Sequence, residues 1–567
     1  MTTTTDESED PQLAACDIGP RRMRESLAVL SLLHDFPALQ RFAERWGQFH
    51  RYLTMIDFFV GDCIRSVKLD LVDDGSLTSE TAMRAAAERL FRNTCKRISI
   101  SKAVRMVDFI KFFTGASLRW EALAVFFLAC GLCCSSLRSR DDPIFDSFGH
   151  RQQDKQALME RILQASRACV SYCEDAGELS DLGMWVLHEN TIFISQVLGD
   201  NHYLVWRQCH DASAHIIERG LHMENRSVLR QQPFWLIEMR RRALACAFST
   251  DKLLCTFVGR PPRLSQRYCL IHVPLDLELS ELCLEGTKLQ EALSNIDEDG
   301  WNRKYSKKAA YLRCFVLSSR LREEVLELSL GPPQDHLLEK AMDIIRRNRE
   351  LLSSFPERIR YNTDMWNHAD PARAFMAAQA YLDVLYNEFM LRRTLYRRLG
   401  ESRSELLKLS HRILSVILQV SNIRGCHTSN ADYIPWIMVL YGLPTAGVLS
   451  LELLQGRQVR SPSLPGEFSW TQVIPDLCVF ISNLKWMHVP GDGNYKLSEQ
   501  AHKSLQQILD KVLSDYIVSP VQHDPILTSP HQPTRGLEDP ADGFSWYEST
   551  EFDIDFWINL PDNLQLS

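Results

Sequence analysis

Apolar residues recur at helical spacing along most of this chain, and this periodicity constrains its fold more than any other feature. In one typical stretch, Asp370 can cap a helix and Pro371 suits the first helical position. The apolar residues that follow, three or four positions apart, are Ala378, Leu382, Leu385 and Phe389. Sustained alternation of apolar and polar residues, the pattern of half-buried strands, is scarce. The sequence therefore predicts an all-α fold, with a large multi-helix domain over residues 21–517.

Composition changes at both ends of this helical domain and once inside it. Residues 1–20 are polar and acidic, which predicts a disordered amino terminus. Residues 456–468 are rich in Gly, Pro and Ser and predict a surface loop. Residues 518–536 contain closely spaced prolines, which no continuous helix tolerates, so they are predicted to form a linker. Residues 537–567 follow as an acidic tail that also carries aromatic residues.

The formal charge of −8 is concentrated in this tail. Residues 537–567 hold eight acidic residues and no lysine or arginine, so residues 1–536 are formally neutral. A neutral body is a poor electrostatic footprint for nucleic acid, because lysine and arginine must neutralise the phosphates. Direct DNA binding by the helical domain is therefore not expected from its charge.

The apolar stretches and cysteines indicate a protein of the cytosol or nucleus. The longest apolar run, Ala122–Cys134, has thirteen residues, whereas a bilayer span needs about twenty. It predicts a buried helix and no membrane partner, and the amino terminus lacks the pattern of a secretory signal. The chain has sixteen scattered cysteines, which predict reduced thiols. Cys130 and Cys133 form a Cys-x2-Cys pair between Phe and Leu residues, so buried thiols are expected rather than a metal site.

Two segments carry the most specific patterns. The first, which opens the most apolar helix, consists of Leu118, Arg119, Trp120 and Glu121. Arg119 is expected near the surface and Trp120 in the core. Helix entry is the structural interpretation of this segment, and direct ligand contact is its alternative.

The second segment is a helix with charged residues and a sharp end. Glu238 can meet Arg241 or Arg242 on one helix face, since they lie three and four positions apart. Gly259 and Pro261 then end the helix, because glycine can take a left-handed cap and proline bars continuation. The sequence predicts one charged network beneath this chain reversal, and an anion-binding or catalytic site is the alternative. The predicted members of the network are Glu238, Arg241, Asp251 and Arg260.

Together the two segments resemble the regulatory region of fungal-specific transcription factors. Smaller similarities include Gly220-Leu221-His222 and Asp492-Gly493-Asn494-Tyr495, and the resemblance extends over residues 100–515 approximately. It implies a nuclear regulator of genes transcribed by RNA polymerase II, with a metabolic gene cluster as one class of target. It also implies that the first segment is structural.

In that family the regulatory region normally follows a six-cysteine binuclear zinc cluster. Such a cluster needs converging thiolates within a short stretch, but Cys16, Cys63 and Cys95 are widely dispersed. The zinc cluster is therefore expected to be absent, and no other cofactor is indicated. DNA contact is expected through a partner subunit or through an unrecognised segment of the chain. The expected pairing is a heterodimer with a zinc-cluster protein or a homodimer.

The tail alternates acids with large apolar side chains, which is the composition of an acidic activation segment. Such a segment would contact coactivators or the transcription machinery. The alternative is that its apolar side chains pack back onto the helical domain. The residues concerned are Phe544, Trp546, Tyr547, Phe552, Ile554, Phe556 and Trp557.

The sequence leaves two other classes of function open. A helical protein of this kind can instead bind and restrain, or scaffold, a complete transcription factor. A more remote alternative is an all-α enzyme acting on diphosphates, because Asp141, Asp142 and Asp146 lie close together. Their spacing includes an extra residue and Pro143, and no nucleophile elbow, phosphate loop or dinucleotide fingerprint is present. The sequence therefore predicts a protein that is not an enzyme.

Overall fold

The computed structural model describes most of the helical domain. The described residues are 18–48, 54–137, 144–145, 155–177, 179–224, 229–305, 308–421, 433–455, 470–487 and 490–518. Within these ranges the protein is helical without a named strand, apart from an isolated bridge between Ile296 and Asn302. The predicted all-α fold is confirmed. The predicted loop 456–468, the linker from residue 519 onward and the tail 537–567 lie outside the described residues, as do residues 1–17.

The first ten helices build the amino-terminal half. They are α1 (Pro20–Ser31), α2 (Phe36–Arg45), α3 (Val60–Val67), α4 (Glu80–Thr94), α5 (Met106–Phe109), α6 (Trp120–Ser136), α7 (Lys155–Asp175), α8 (Asp181–Leu198), α9 (Tyr203–Glu218) and α10 (Phe234–Val258). Short 3₁₀ and π turns extend or connect several of them.

Eleven further helices follow. They are α11 (Leu279–Leu282), α12 (Gly286–Ser294), α13 (Lys308–Leu330), α14 (Leu337–Ser354), α15 (Met365–His368), α16 (Pro371–Leu399), α17 (Ser404–Ser421), α18 (Tyr433–Ile437), α19 (Leu443–Gln455), α20 (Trp470–Met487) and α21 (Tyr495–Val518). In α16 the Asp370 carboxylate accepts a hydrogen bond from the Ala372 amide over 3.3 Å, and the helix ends at Gly400 in the left-handed conformation. This helix has the start that the sequence predicts.

Helix α6 lies at the centre of the first hydrophobic core. It is apolar on all sides, and every residue of Ala122–Cys134 is buried. A helix without a polar face has to be surrounded by other elements, and α2, α3, α7 and α8 pack around it. The buried helix predicted from this run is confirmed.

A second hydrophobic core is built mainly from α13–α21. Helices α10 and α13 contribute to both cores. In α10, Leu236 and Phe248 belong to the first core, whereas Cys255 and Phe257 belong to the second. The two cores are therefore continuous through α10 rather than joined by a linker.

The helical stretch Ile434–Leu454 is long and apolar enough to cross a membrane by length and composition alone. However, 83% of its most apolar window is buried within the fold. Its side chains fill the second core, where Tyr441 and Leu449 are fully buried. Here the apolar composition serves packing.

The carboxy-terminal helix α21 is attached to the end of α8 by a close backbone approach. The Gly493 amide donates to the carbonyl oxygen of Gln196 over 3.0 Å. A Cβ atom on Gly493 would lie only 2.2 Å from the Gly199 backbone nitrogen, so a larger residue does not fit. Asn494 bridges the junction, because its amide donates to the Asp200 carboxylate over 2.6 Å and its oxygen accepts from the Asp200 amide over 3.1 Å.

This junction carries a buried acid whose protonation affects stability. Burial raises the pKa of Asp200 to about 6, although hydrogen bonds from Asn494 and Ser195 oppose the shift. The same carboxyl in the unfolded chain titrates near about 3.9. Between these values the folded protein holds a proton that the unfolded chain has lost, so this contribution to stability falls as pH rises.

We predict that Asp200→Asn stabilises the protein near neutral pH by about 2 kcal/mol and has little effect near pH 4. The substituted amide keeps an oxygen that can accept from Asn494. Urea unfolding at both pH values measures the difference. Asp108→Asn is the control, because hydrogen bonds from Arg105 and Lys111 lower the pKa of Asp108 to about 2; it should give no gain. An equal effect of Asp200→Asn at both pH values would contradict the prediction.

Candidate functional site

The first of the two sequence segments, residues 118–121, is called the first motif below and lies where α6 begins. Leu118 and Trp120 are buried as expected, but Arg119 is buried too, with 4% of its surface exposed. Its guanidinium donates to the carbonyl oxygens of Thr94 over 2.6 Å and Lys96 over 2.8 Å, at the end of α4. The expectation of a surface position for Arg119 was wrong, because the last carbonyls of a helix lack partners within it and need an outside donor.

Glu121 joins this helix start to α8. Both of its carboxylate oxygens lie 3.2 Å from Arg119 Nε, and Ser180 Oγ donates to it over 3.0 Å. Ser180 is also the N-cap of α8, where it accepts from the Gly183 amide over 3.0 Å. Because Glu121 is only 1% exposed, its charge requires this pairing. The motif therefore fixes α6 against α4 and α8.

The arginine run of α10 begins with an ion pair that the sequence analysis missed. Arg240 Nε and Nη2 lie 2.7 and 2.9 Å from the Asp181 carboxylate, 59 positions earlier in the chain. Arg219 Nη2 lies 3.5 Å from the same carboxylate. Burial alone would raise the pKa of Asp181, but the hydrogen bonds and charges of the arginines outweigh it and hold this pKa below its ordinary value. No local pattern links residues so distant in sequence.

Glu238 and Arg241 meet one helical turn apart, as their spacing predicts, with 2.6 Å between nitrogen and oxygen. Arg241 also donates two hydrogen bonds to Glu224, of 2.6 and 2.9 Å. The second oxygen of Glu238 accepts from the Leu275 amide over 3.0 Å. Neighbouring Arg242 is buried and donates to a backbone carbonyl of the same segment. These bonds attach residues 224 and 275–277 to α10.

A separate charged cluster surrounds Lys252, which is fully buried. Its ammonium lies 2.9 Å from the Asp251 carboxylate and 3.4 Å from Glu323 of α13. Asp251 also accepts from the backbone amides of Arg263, at 3.2 Å, and Leu264, at 3.1 Å. The cluster therefore ties the chain after the helix to α10 and α13.

The single charged network predicted from the sequence was wrong in its extent. Glu238 and Asp251 are thirteen positions apart on one helix, which places them about 20 Å apart along its axis. They belong to two clusters with different partners. Arg260 belongs to neither, since its guanidinium stacks over the Trp206 ring at 5.2 Å from the centroid.

The sharp end of α10 follows the predicted chemistry. Gly259 adopts the left-handed conformation with φ of 63°, a region that favours glycine. The Arg260 amide donates to the Cys255 carbonyl over 3.1 Å, which completes the helix end. Pro261 comes next and lines a surface groove with Arg260. After this reversal the chain returns toward α10, where the Asp251 carboxylate accepts hydrogen bonds from its backbone amides.

A further buried charge cluster lies in the second core and was not predicted from the sequence. Arg322 of α13 is 1% exposed, and its Nη2 lies 3.0 Å from the Asp383 carboxylate. The same carboxylate oxygen accepts from the Tyr441 hydroxyl over 3.1 Å, and Arg322 also donates to Asn387. Asp383 and Asn387 lie four positions apart on one helix, whereas Arg322 lies on another. This pattern is too common in helical proteins to predict the cluster.

Cys130 and Cys133 are buried free thiols, as the sequence predicts, and Cys134, Cys169 and Cys173 are buried as well. Burial raises the pKa of the Cys130 thiol well above its ordinary value, so it remains protonated. Within the described residues, groups of three or more His, Cys, Asp or Glu side chains that could hold a metal ion are not found.

Two sets of predicted residues lie outside the described part of the chain. One is the acidic trio considered for diphosphate chemistry, Asp141, Asp142 and Asp146. The other is the set of tail residues, Phe544, Trp546, Tyr547, Phe552, Ile554, Phe556 and Trp557. Their proposed roles stay predictions from sequence.

The helical domain thus belongs to the class of large all-helical folds. In it, buried ion pairs hold α8, α9, α10 and α13 together. Residues 192–332 match the family model described as the fungal specific transcription factor domain. No curated protein and no solved structure matches the chain. Over these residues the chain is similar to the fungal specific transcription factor domain, and this similarity supports a regulator of transcription in general, a role that implies the nucleus. Domains of this family are not enzymes.

The matched segment includes the second motif and excludes the first. It runs from α8 to the turn after α13 and contains Glu224, Glu238, Lys252 and Glu323. Both charged clusters of α10 at Arg241 and Lys252 therefore lie inside the family domain.

We predict that Lys252→Met destabilises the protein by about 3–5 kcal/mol, because two buried carboxylates lose their common cation. Urea unfolding followed by tryptophan fluorescence measures this loss. Lys408→Met is the matched control, since Lys408 lies 3.1 Å from Glu405 on the exposed side of α17; its unfolding midpoint should hardly change. Equal midpoints for Lys252→Met and the unsubstituted protein would show that the buried cluster does not support the fold.

Proposed function

We propose that this protein regulates genes transcribed by RNA polymerase II, with the helical body as a regulatory domain and residues 537–567 as an activating segment. The observation that carries the proposal is the family match over residues 192–332. The match coincides with the segment in which buried charges organise α10 and its neighbours. Such a segment is suited to holding a fixed shape rather than to chemical turnover.

The charge distribution supports a division of labour between body and tail. Residues 1–536 are formally neutral, whereas the tail holds eight acids without lysine or arginine. Phosphate binding requires an excess of lysine and arginine, so we propose that DNA is contacted through a partner, such as a zinc-cluster protein of the same family. The tail is proposed to face the transcription machinery instead.

The chemistry of the tail explains how it would act. Apolar side chains such as Trp546, Phe552 and Trp557 can dock into a hydrophobic groove of a coactivator. The neighbouring acids keep them in solution before docking, and they favour a partner with basic residues around that groove. The family match favours a regulator of transcription, and the tail composition independently favours activation.

The tail is tested by fusing residues 537–567 to an unrelated DNA-binding domain upstream of a reporter gene. We expect activation, and we expect alanine at Trp546, Phe552, Phe556 and Trp557 to lower it by about tenfold or more, because aromatic anchors carry most binding energy. A matched control replaces polar positions of the same tail and should leave activation unchanged. Its residues are Ser545, Ser549, Thr550 and Asn559.

A fusion that leaves the reporter silent would contradict the activating role. It would favour the alternative in which the helical body binds and restrains, or scaffolds, another transcription factor. Purification of the tagged full-length protein followed by mass spectrometry would then identify that partner.

A further inference from the structure

A surface groove of about 900 Å³ lies where the chain reverses after α10, and none of the roles described above uses it. Its walls are the reversal itself, the end of α13 with the turn that follows, and the last turns of α16. Every residue that lines it belongs to the described part of the chain. Its volume lies at the upper end of the range for ligand pockets, so it has room for a peptide segment.

The apolar side chains of this groove are accessible to a partner. Tyr268 is 77% exposed, and Leu330 is 36% exposed. Pro261 and Pro332 belong to the same lining and are exposed as well. An exposed ring and two prolines form a surface that gains free energy when aromatic side chains cover it.

The charged residues of the groove are mostly cationic. Four arginines and two glutamates line it: Arg260, Arg267, Arg397, Arg398, Glu323 and Glu327. Lys252 compensates Glu323 from 3.4 Å. Glu327 lies 2.7 Å from Arg267, but these side chains are 48% and 67% exposed. An exposed pair contributes little to stability, so another carboxylate can replace Glu327.

Two of the arginines have no acidic partner among the described residues. Arg260 is exposed, and its guanidinium stacks over the Trp206 ring. Arg398 donates to the carbonyl oxygens of Ser329, over 3.0 Å, and Gly331, over 2.9 Å. Such bonds hold a guanidinium in place without neutralising its charge. A positive field therefore remains over the groove.

We propose that this groove binds the acidic tail of the same chain, residues 537–567. The tail holds eight acids without lysine or arginine, and its acids alternate with large apolar side chains. Its carboxylates would pair with Arg260 and Arg267. Its aromatic side chains would cover Tyr268 and Pro332. The tail thus complements the groove both in charge and in apolar surface.

The tail is long enough to reach the groove. The description of the chain ends at Val518, and Phe544 is the first aromatic residue of the tail. The stretch between them, about 26 residues, spans up to about 85 Å when extended. A folded domain of about 500 residues has a radius of gyration of about 23 Å, so every face of the helical domain is within reach. Binding within one chain also benefits from a high effective concentration.

Docking in the groove and contact with the transcription machinery are alternative states of the same segment. Docking does not depend on the activating role of the tail. A tail that docks but leaves the reporter silent would retain this inference and reject activation. A tail that activates the reporter but does not dock would do the reverse.

The test uses the full-length protein with the photoreactive residue p-benzoylphenylalanine in place of Tyr268. After irradiation and digestion, mass spectrometry should find crosslinks to residues 537–567. The control places the same residue at Leu69, which is 55% exposed in the amino-terminal half and does not line the groove; it should give no such crosslink. In a mixture of isotopically labelled and unlabelled protein, crosslinked peptides of one isotope identify docking within a chain.

Reversal of charge in the groove tests the role of the arginines. Arg260→Glu combined with Arg267→Glu should lower the crosslinking yield by about tenfold, because like charges then face the tail. Arg21→Glu combined with Arg65→Glu is the matched control. Both of these arginines are exposed, and each pairs with an acid of its own helix, so the yield should not change. Circular dichroism checks that each variant is folded.

A salt series needs no charge reversal and therefore tests the same point if a variant fails to fold. Raising the ionic strength from about 0.01 M to about 1 M shortens the Debye length from about 30 Å to about 3 Å, and the crosslinking yield should fall severalfold. Absence of crosslinks to the tail, an equal yield from position 69, a yield that neither charge reversal nor salt lowers, or crosslinks between differently labelled chains would each overturn the proposal.

Discussion

The pairing of buried charges along α10 is the interaction on which the rest of the structure depends. This helix contributes to both hydrophobic cores, and three of its cations pair with acidic groups: Arg240, Arg241 and Lys252. A charge removed from water is tolerated only when a partner and hydrogen bonds compensate it. Arg240 therefore fixes α8, and Arg241 fixes the segment before α10. Lys252 fixes α13 together with the chain after the reversal. The apolar residues drive burial, and the ion pairs select which elements meet.

Most of these partners fall within residues 192–332, the segment that matches the family model. The match begins within α8 and ends just after α13, so it encloses the Arg241 and Lys252 clusters. Asp181 lies just before it and links the family domain to the first motif through Ser180 and Glu121. Arg240 is thus linked to the first motif through two neighbouring residues at the start of α8, whereas the Arg241 and Lys252 clusters have other partners.

Sequence reasoning succeeded where the determinants are local. The cap and first position of α16, the buried helix over Ala122–Cys134 and the Glu238–Arg241 pair follow from spacing within one helix. It failed where partners come from distant segments: Arg119 is buried because helix ends need donors, and the partner of Arg240 is 59 positions away. The error in the predicted charged network was avoidable, because the rise of the helix alone places Glu238 and Asp251 far apart. Residues 1–17 and 519–567 are outside the described structure, so the tail rests on composition.

Regulation of transcription is the central claim, and chromatin occupancy of the tagged full-length protein in its native cell tests it most directly. The account predicts nuclear protein with sharp peaks at promoters, and the DNA sequence shared beneath those peaks would identify the DNA-reading partner. A protein that stays in the cytoplasm and occupies no promoter would contradict the account, and would mean that this helical domain serves another purpose.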